Sequence, residues 1–182
     1  MAVRPLAPTN DPVLRQKAQK VRDFGPALQS LIDDMVETMK DAPGLGLAAP
    51  QLGISLRLAV IELPEGEEDN EEDKDPYRGK LIVLCNPEIV KTWGEEEGQE
   101  GCLSLPLYVG EVSRAARVVV KAQDRHGKHI RLRAEGLMAR VLQHEIDHLN
   151  GNLFVDRVES LDKLYRVEPS DEEMIDENKP II

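Results

Sequence analysis

The chain of 182 residues has few aromatic residues, few cysteines and fewer basic residues than acidic ones. Aromatic residues make up 3% of the total, so leucine, isoleucine, valine and methionine must fill the core. Two cysteines, Cys85 and Cys102, are too few for a disulfide framework, and the cytoplasm is the expected compartment. With a net charge of −11, the chain lacks the basic composition of duplex-binding proteins, so DNA is not an expected partner.

Long apolar runs are also absent from the sequence. No stretch approaches the ~20 apolar residues that a membrane-spanning helix needs, so we expect no association with a membrane. Residues 1–10 lack the apolar segment of a secretory signal. The length and a hydrophobic content of 41% are typical of one globular domain, and we expect a single domain over residues 1–182.

Helical patterns dominate the first third of the chain. Asp11 and Pro12 predict the start of a short helix, and Pro26 predicts the start of a second one. The second helix has an apolar stripe at helical spacing, formed by Leu28, Leu31, Ile32, Met35, Val36 and Met39. Residues 44–51 contain two glycines and a proline, which predict irregular backbone.

Strands and one more helix are predicted in the rest of the chain. Apolar or alternating runs indicate strands at residues 56–63, 81–85, 117–122 and 129–134, the last two joined in a hairpin. A helix is predicted over Gly136–Leu149 and is stopped by Asn150 and Gly151. Helices followed by several strands and a final helix indicate an α+β fold, with mostly antiparallel β-sheets wrapped around that last helix.

Two segments are polar and acidic. Residues 65–75 hold eight acids against one lysine, which favours a solvated surface loop over residues 65–79. The polar residues 166–182 predict a frayed or loosely docked tail.

The predicted last helix carries the pattern H-E-x-x-H. His144 and His148 lie one helical turn apart on the same face, where two imidazoles can hold one metal ion. Glu145 lies beside them and can move a proton. Leu137 and Val141 fall on the face of His144, which predicts an apolar wall beside the metal. These features favour metal-assisted hydrolysis.

A catalytic centre of this kind needs a third protein ligand and an open position for water. One alternative is a carboxylate after His148, such as Glu159 or Glu168, and it predicts a zinc endopeptidase. The other alternative is Cys102, whose thiolate is a strong ligand for iron or zinc. Cys85 lies within a predicted buried strand and is assigned to the core.

Three segments together resemble the signature motifs of the peptide deformylase family. They are residues 44–51 (GLGLAAPQ), residues 100–104 (EGCLS) and residues 143–148 (QHEIDH). The resemblance implies the α+β fold of that family, with the metal-binding helix central among strands. It also implies removal of the N-formyl group from the starting methionine of new polypeptides, which releases formate. Formylmethionyl nascent peptides are then the expected partners, with possible transient association with the ribosome.

The resemblance further implies a role for each motif residue. Cys102, His144 and His148 would bind one divalent metal ion, most commonly Fe(II), with Zn, Ni or Co able to occupy the site. Glu145 would carry the proton. The side-chain amide of Gln51 and the backbone N–H of Leu103 would stabilise the oxyanion.

Substrate contacts are predicted beside these motifs. The backbone at Gly46 would bind the substrate main chain, and Leu45, Leu137 and Val141 would contact the methionine side chain. The stem of Arg140 would either line that pocket or lie in solvent.

Besides a deformylase-like binding protein that has lost catalysis, two rival hypotheses follow from the same residues. The first is the zinc endopeptidase. The second is a protein with a structural metal, whose site would need four protein ligands. The remaining histidines, His126 and His129, flank a predicted hairpin turn, where exposed histidines are common.

Overall fold

The computed structural model describes residues 2–66 and 75–167. The described part contains the helices α1 (Pro26–Asp41) and α2 (Gly136–Leu149). Its strands are β1 (Gly46–Ala48), β2 (Leu58–Glu62), β3 (Leu81–Trp93), β4 (Glu96–Cys102), β5 (Leu105–Arg114), β6 (Arg117–Gln123), β7 (His129–Glu135) and β8 (Leu164–Arg166). Most of the predicted acidic loop and tail, at 67–74 and 168–182, lies outside the described residues.

The two predicted N-terminal helices are present. Asp11 accepts a hydrogen bond from the backbone N–H of Val13 at 2.9 Å and caps the 3-10 helix Pro12–Arg15. Helix α1 starts at Pro26, and its apolar stripe packs into a core that includes β2. Ile32 and Met35 on this stripe are fully buried, so the helix is held mainly by its packed face.

All strands pair antiparallel, in two sheets. The first sheet has the order β1-β2-β3-β6-β7, and the second has the order β4-β5-β8. Helix α2 packs against five strands of the first sheet, with Met138, Val141 and Leu142 in its main apolar core. The α+β prediction, with antiparallel sheets around α2, is thereby confirmed. In the described part of the chain, no helix is long and apolar enough to cross a membrane.

Helix α2 has the predicted bounds, and every residue from Met138 to Leu149 is buried. The helix ends at Leu149, Asn150 caps it, and Gly151 follows with a φ of 81°. Because the helix is buried on all sides, its polar residues must find partners inside the protein. The functional side chains are therefore fixed by packing on a rigid element.

Several strand predictions were incomplete. Strand β3 runs on to Trp93, past a register shift at Asn86, whose φ is 53°. The hairpin of β4 and β5 was not predicted, and residues 44–51 form β1 and a 3-10 helix (Ala49–Leu52) as well as irregular backbone. Arg166 pairs with Tyr108 of β5, and the backbone N–H of Val167 bonds to the carbonyl of Leu107, so the chain is attached to the second sheet up to the last described residue.

Candidate metal centre and active site

Cys102, His144 and His148 converge at one buried point. The Sγ of Cys102 lies 3.2 Å from Nε2 of His148, which lies 3.2 Å from Nε2 of His144. All three donor atoms lie within 4.8 Å of one another, and each residue is at most 2% exposed. One thiolate and two imidazole nitrogens are a donor set suited to a single transition-metal ion.

The alternative carboxylate ligands are not part of this cluster. Glu159 is exposed, and its carboxylate lies 3.5 Å from the ammonium of Lys163. Glu168 lies outside the described residues. His126 and His129 are exposed at the β6–β7 turn, as predicted. Among the described residues, the ligand cluster therefore has the three members that the motifs indicated.

Two elements bring the ligands together. Helix α2 provides His144 and His148 from successive turns of one face. The β4–β5 hairpin provides Cys102, where the register shifts so that Cys102 pairs with Leu105. Leu103 and Ser104 form the short turn between these partners, and the backbone carbonyl of Ser104 accepts a hydrogen bond from the hydroxyl of Thr9 at 2.8 Å. The N-terminal segment thus supports the hairpin turn that carries the thiol.

A buried carboxylate orients the first imidazole. Oε2 of Glu100 lies 3.0 Å from Nδ1 of His144, and the Glu100 side chain is fully buried. With Nδ1–H donating to this carboxylate, Nε2 is the ring nitrogen that faces Cys102 and His148 and is left for a metal. Glu100 lies two residues before Cys102 on β4, and residues two apart share a face of a strand.

Two arginines fix Glu100 in turn. Arg114 donates two hydrogen bonds to the carboxylate, each of 2.8 Å, and Arg140 donates a third of 3.0 Å. Arg140 also donates to the backbone carbonyls of Val112 and Glu96 and is 8% exposed. The prediction of a solvated Arg140 was therefore wrong, because these acceptors hold its guanidinium inside the protein. That its stem lines the methionine pocket stays a prediction.

The network of ion pairs around Glu100 extends to Asp147, in the motif of residues 143–148. Arg114 donates to Asp147 at 2.5 Å, and Arg157 donates to the same carboxylate at 2.5 and 2.6 Å. Asp147 is the residue before His148, so these hydrogen bonds attach helix α2 to Arg114 and Arg157 next to the second histidine ligand. Sequence reasoning assigned no role to Glu100, Arg114 or Asp147. The one feature of the sequence that could have indicated a role for Glu100 is its spacing of two residues from Cys102, which places both side chains on the same face of a strand.

Glu145 is buried beside the cluster. It is 1% exposed, and its Oε2 has no hydrogen-bond partner among the described residues. Gly46 of β1 lies against it so closely that a Cβ at position 46 would be 2.8 Å from Cδ of Glu145. A glycine is therefore required where β1 passes this carboxylate.

Gln51 faces the cluster from the first motif. Its Oε1 accepts a hydrogen bond from the backbone N–H of Ala48 at 2.8 Å, which fixes the orientation of the amide. Its Nε2 then points to Sγ of Cys102 at 3.5 Å and to Oγ of Ser104 at 3.2 Å. The adjacent Leu103 packs beside Gly44. The first and second motifs thus meet next to the ligands.

Burial and charge set the protonation of the site. Against the effect of burial, the two imidazoles hold the pKa of the Cys102 thiol well below its usual value. Cys102 and Glu100 outweigh burial and raise the pKa of His144 to about 10. Burial raises the pKa of Glu145 to about 7. A cation at the thiolate would compete with the proton on His144, so metal binding should release protons.

The three residues predicted to contact the methionine side chain have different surroundings in the structure. Val141 is fully buried in the main core beneath α2, and Leu45 is 5% exposed and lines a small cleft of about 330 Å³. Leu137 lies two turns before His144, about 10.5 Å along the helix, and lines a second cleft. The substrate contacts of these residues and of Gly46 remain predictions.

A thiol, two imidazoles and a buried carboxylate on one rigid α+β scaffold define a hydrolase built around a single metal site. The chain matches the sequence model of the family described as Polypeptide deformylase over residues 3–164. It belongs to that family.

Curated relatives agree over nearly the whole chain. A peptide deformylase of Dehalococcoides mccartyi strain CBDB1 is 47% identical over 94% of this chain and 96% of that protein. A peptide deformylase of Thermomicrobium roseum is also 47% identical, over 95% of this chain and 96% of that protein.

Solved structures share the fold. The crystal structure of a peptide deformylase from Legionella pneumophila has a TM-score of 0.77 and 48% identity and covers 89% of both chains. That of peptide deformylase from Ehrlichia chaffeensis has a TM-score of 0.80 and 34% identity, over 89% of this chain and 91% of that chain. The chain is therefore an enzyme that removes the N-formyl group from new polypeptides.

Proposed function

We propose that the chain performs this hydrolysis with one divalent metal ion bound by Cys102, His144 and His148. The supporting observation is the convergence of their three donor atoms beside the buried carboxylate of Glu145. The residues fit such an ion, because a sulfur and two nitrogens suit it and Glu100 leaves Nε2 of His144 facing the cluster. Fe(II) is the proposed ion, and Zn, Ni or Co would fit the same donors.

Glu145 is the proposed proton carrier. When bound, the metal ion supplies Lewis-acid chemistry that lowers the pKa of water toward neutrality. Glu145 takes a proton from the attacking water and delivers it to the departing amine, so that water and the formamide become formate and a free amine. Its Oε2, which has no partner among the described residues, is available for both transfers.

Gln51 and Leu103 are the proposed oxyanion donors. The amide of Gln51 is oriented by the N–H of Ala48, so its Nε2 points toward the cluster before substrate arrives. Donors fixed in advance need no reorganisation when negative charge develops on the formyl oxygen. The backbone N–H of Leu103, one residue after Cys102, is the proposed second donor.

The proposed substrate contacts follow the motifs. The backbone at Gly46, on strand β1, would pair with the main chain of the formylated peptide. Leu45, Leu137 and Val141 are proposed to contact the methionine side chain, directly or by shaping the pocket. In this proposal residues 1–182 form one catalytic domain that acts in the cytoplasm on formylmethionyl nascent peptides, with transient contact to the ribosome.

Formate release from a short formyl-methionyl peptide tests this proposal. Glu145→Gln should retain bound metal and lose at least about 100-fold in turnover, because only the proton carrier is changed. Glu159→Gln is the matched control, and it should keep both activity and metal. Loss of activity in Glu159→Gln, with metal lost as well, would instead support the endopeptidase ligand set. Full turnover by Glu145→Gln would refute the assignment of the proton carrier.

A further inference from the structure

The outer face of the first sheet carries a cluster of cations around an exposed tryptophan. Strand register places Lys91, Val119 and Arg133 side by side, and it places Trp93 beside Arg117 in the next row. Cross-strand neighbours project from the same face of a sheet. We name this surface, which is the second cleft that Leu137 lines, the basic cleft. Strands β3, β6 and β7 contribute to it the cations and the tryptophan on which the argument depends: Lys91, Trp93, Arg117, Arg131 and Arg133.

The basic cleft is open and measures about 800 Å³. Trp93 is 47% exposed, whereas Val119, between Lys91 and Arg133, is 4% exposed and forms the floor. Among the residues that the structure describes, the lining also includes Arg78 and two acids, Asp75 and Glu135. The described lining therefore carries a net positive charge, on a chain whose net charge is −11. The net charge of the whole chain therefore does not indicate this cluster of basic residues.

Four of the cations in the basic cleft form no ion pair with another described residue. Across residues 2–66 and 75–167, no salt bridge involves Lys91, Arg117, Arg131 or Arg133, although the chain has many acids. Clustered like charges that outnumber the opposite charges around them repel one another, which costs stability. An anionic partner would remove that repulsion.

The strand edge beside the cleft is closed to a peptide. Strand β7 is the outer strand of the sheet, but the hydroxyl of Tyr77 bonds to the backbone N–H and carbonyl of Arg133, at 3.1 and 3.0 Å. A peptide that added itself as another strand would have to displace Tyr77. Recognition at this place must therefore use side chains.

We propose that the basic cleft binds a segment of single-stranded RNA. Phosphates would meet Lys91, Arg117, Arg131 and Arg133, and one base would stack on Trp93. A positive groove with an aromatic platform is how proteins hold single strands without reading their sequence. Since the enzyme acts on newly made polypeptides, RNA is the single-stranded polyanion present where its substrate is produced.

Fluorescence anisotropy with a labelled oligouridylate of roughly 12 nucleotides tests the phosphate contacts. Arg131→Gln combined with Arg133→Gln should weaken binding about 25-fold at 0.1 M salt and lower the salt slope by about 1.4, because each single-strand contact contributes about 0.7. The pair Lys20→Gln and Arg22→Gln makes the same charge change at exposed positions elsewhere and should alter affinity by less than about twofold. Equal loss in both pairs would overturn the proposal.

Trp93 provides a second, independent readout. It is the one tryptophan of the chain, so intrinsic fluorescence should be quenched as the oligonucleotide binds. Trp93→Ala should weaken binding roughly 5- to 150-fold, the range for loss of one stacked base. Inorganic polyphosphate and polyglutamate serve as anions without bases. If either binds as tightly as the oligonucleotide, or if the tryptophan fluorescence does not change, the cleft does not bind RNA.

Formate release from a short formyl-methionyl peptide separates this proposal from the catalytic one. Variants of the basic cleft should cleave that peptide at the rate of the unchanged protein, because no residue altered contacts the ligand cluster. Normal formate release without RNA binding overturns the RNA proposal alone. RNA binding without formate release in the metal-loaded protein overturns the catalytic proposal alone.

Discussion

Nδ1 of His144 lies 3.0 Å from Oε2 of Glu100, inside the protein and away from solvent. This contact decides which imidazole nitrogen is left for a metal. Arg114 and Arg140 neutralise the carboxylate, and Arg114 links it to Asp147 beside His148. The charged network therefore acts on His144 through the orientation of its imidazole, whereas Nδ1 of His148 has no hydrogen-bond partner among the described residues.

Replacing Glu100 by Gln should weaken metal binding by roughly 10- to 100-fold, the usual effect of removing a carboxylate behind a ligating histidine. A competition titration of the purified protein against a chelator, with Zn as the probe, measures this change. Glu97→Gln on the same strand is the control, because Glu97 is exposed and pairs with Lys163. Unchanged affinity in Glu100→Gln would show that the carboxylate does not orient His144.

Arg114 should contribute far more to stability than Arg157, although both bind Asp147. The side chain of Arg114 is 2% exposed and that of Arg157 is 45% exposed. Arg114→Gln leaves two buried carboxylates short of a partner and should cost about 3–5 kcal/mol. Arg157→Gln breaks a partly exposed pair and should cost about 1 kcal/mol or less. Urea unfolding compares them, and equal losses would contradict the network described.

Gly46→Ala should reduce turnover more than metal affinity. A Cβ at position 46 would lie 2.8 Å from Cδ of Glu145, so the carboxylate must move while the three ligands can stay in place. Steady-state formate release and metal content measure the two effects separately. Gly25→Ala is the control, because the atoms nearest to its Cβ belong to the exposed side chain of Asp23, which can rotate away. Normal turnover in Gly46→Ala would show that Glu145 tolerates displacement.

Acid should remove the contribution of the pair formed by Asp34 and Arg4. The hydrogen bond from Arg4, and then that from the backbone N–H of Ala2, hold the pKa of Asp34 below 3.8. A carboxyl with a depressed pKa stabilises the fold above its ordinary pKa, and this contribution is lost as pH falls through the folded value.

The difference in Tm between the unchanged protein and Asp34→Asn should thus be largest near neutral pH and shrink below about pH 4. Thermal unfolding monitored by circular dichroism from neutral pH downward measures it. Arg4→Gln should show the same trend, since Arg4 is the main cause of the shift. A difference that stays constant with pH would contradict the pKa direction.

The helices were predictable because their signals are local. Pro26 sets the start of α1, and Asn150 and Gly151 set the end of α2, so both helices have the predicted bounds at these ends. The ligand residues were also predictable, since the turn between His144 and His148 is fixed by helical geometry. Nothing in that spacing depends on the rest of the chain.

The β4–β5 hairpin could not be predicted from the same kind of signal. Strand β4 reads Glu-Glu-Gly-Gln-Glu-Gly-Cys, and it lacks the alternation of apolar residues that indicates a strand. Its last acid, Glu100, is buried because Arg114 and Arg140, from other elements, neutralise it. Such long-range compensation leaves no periodic trace, so nothing in the local sequence indicates that Glu100 is buried.

The central claim is that one cation binds to the sulfur of Cys102 and to one nitrogen from each of His144 and His148. X-ray absorption at the zinc edge of zinc-loaded protein tests it directly. We predict one sulfur at about 2.3 Å and two imidazole nitrogens at about 2.0–2.1 Å, with the sulfur lost in Cys102→Ser and kept in Cys85→Ala. A zinc shell of oxygen and nitrogen alone in the unchanged protein would contradict the account.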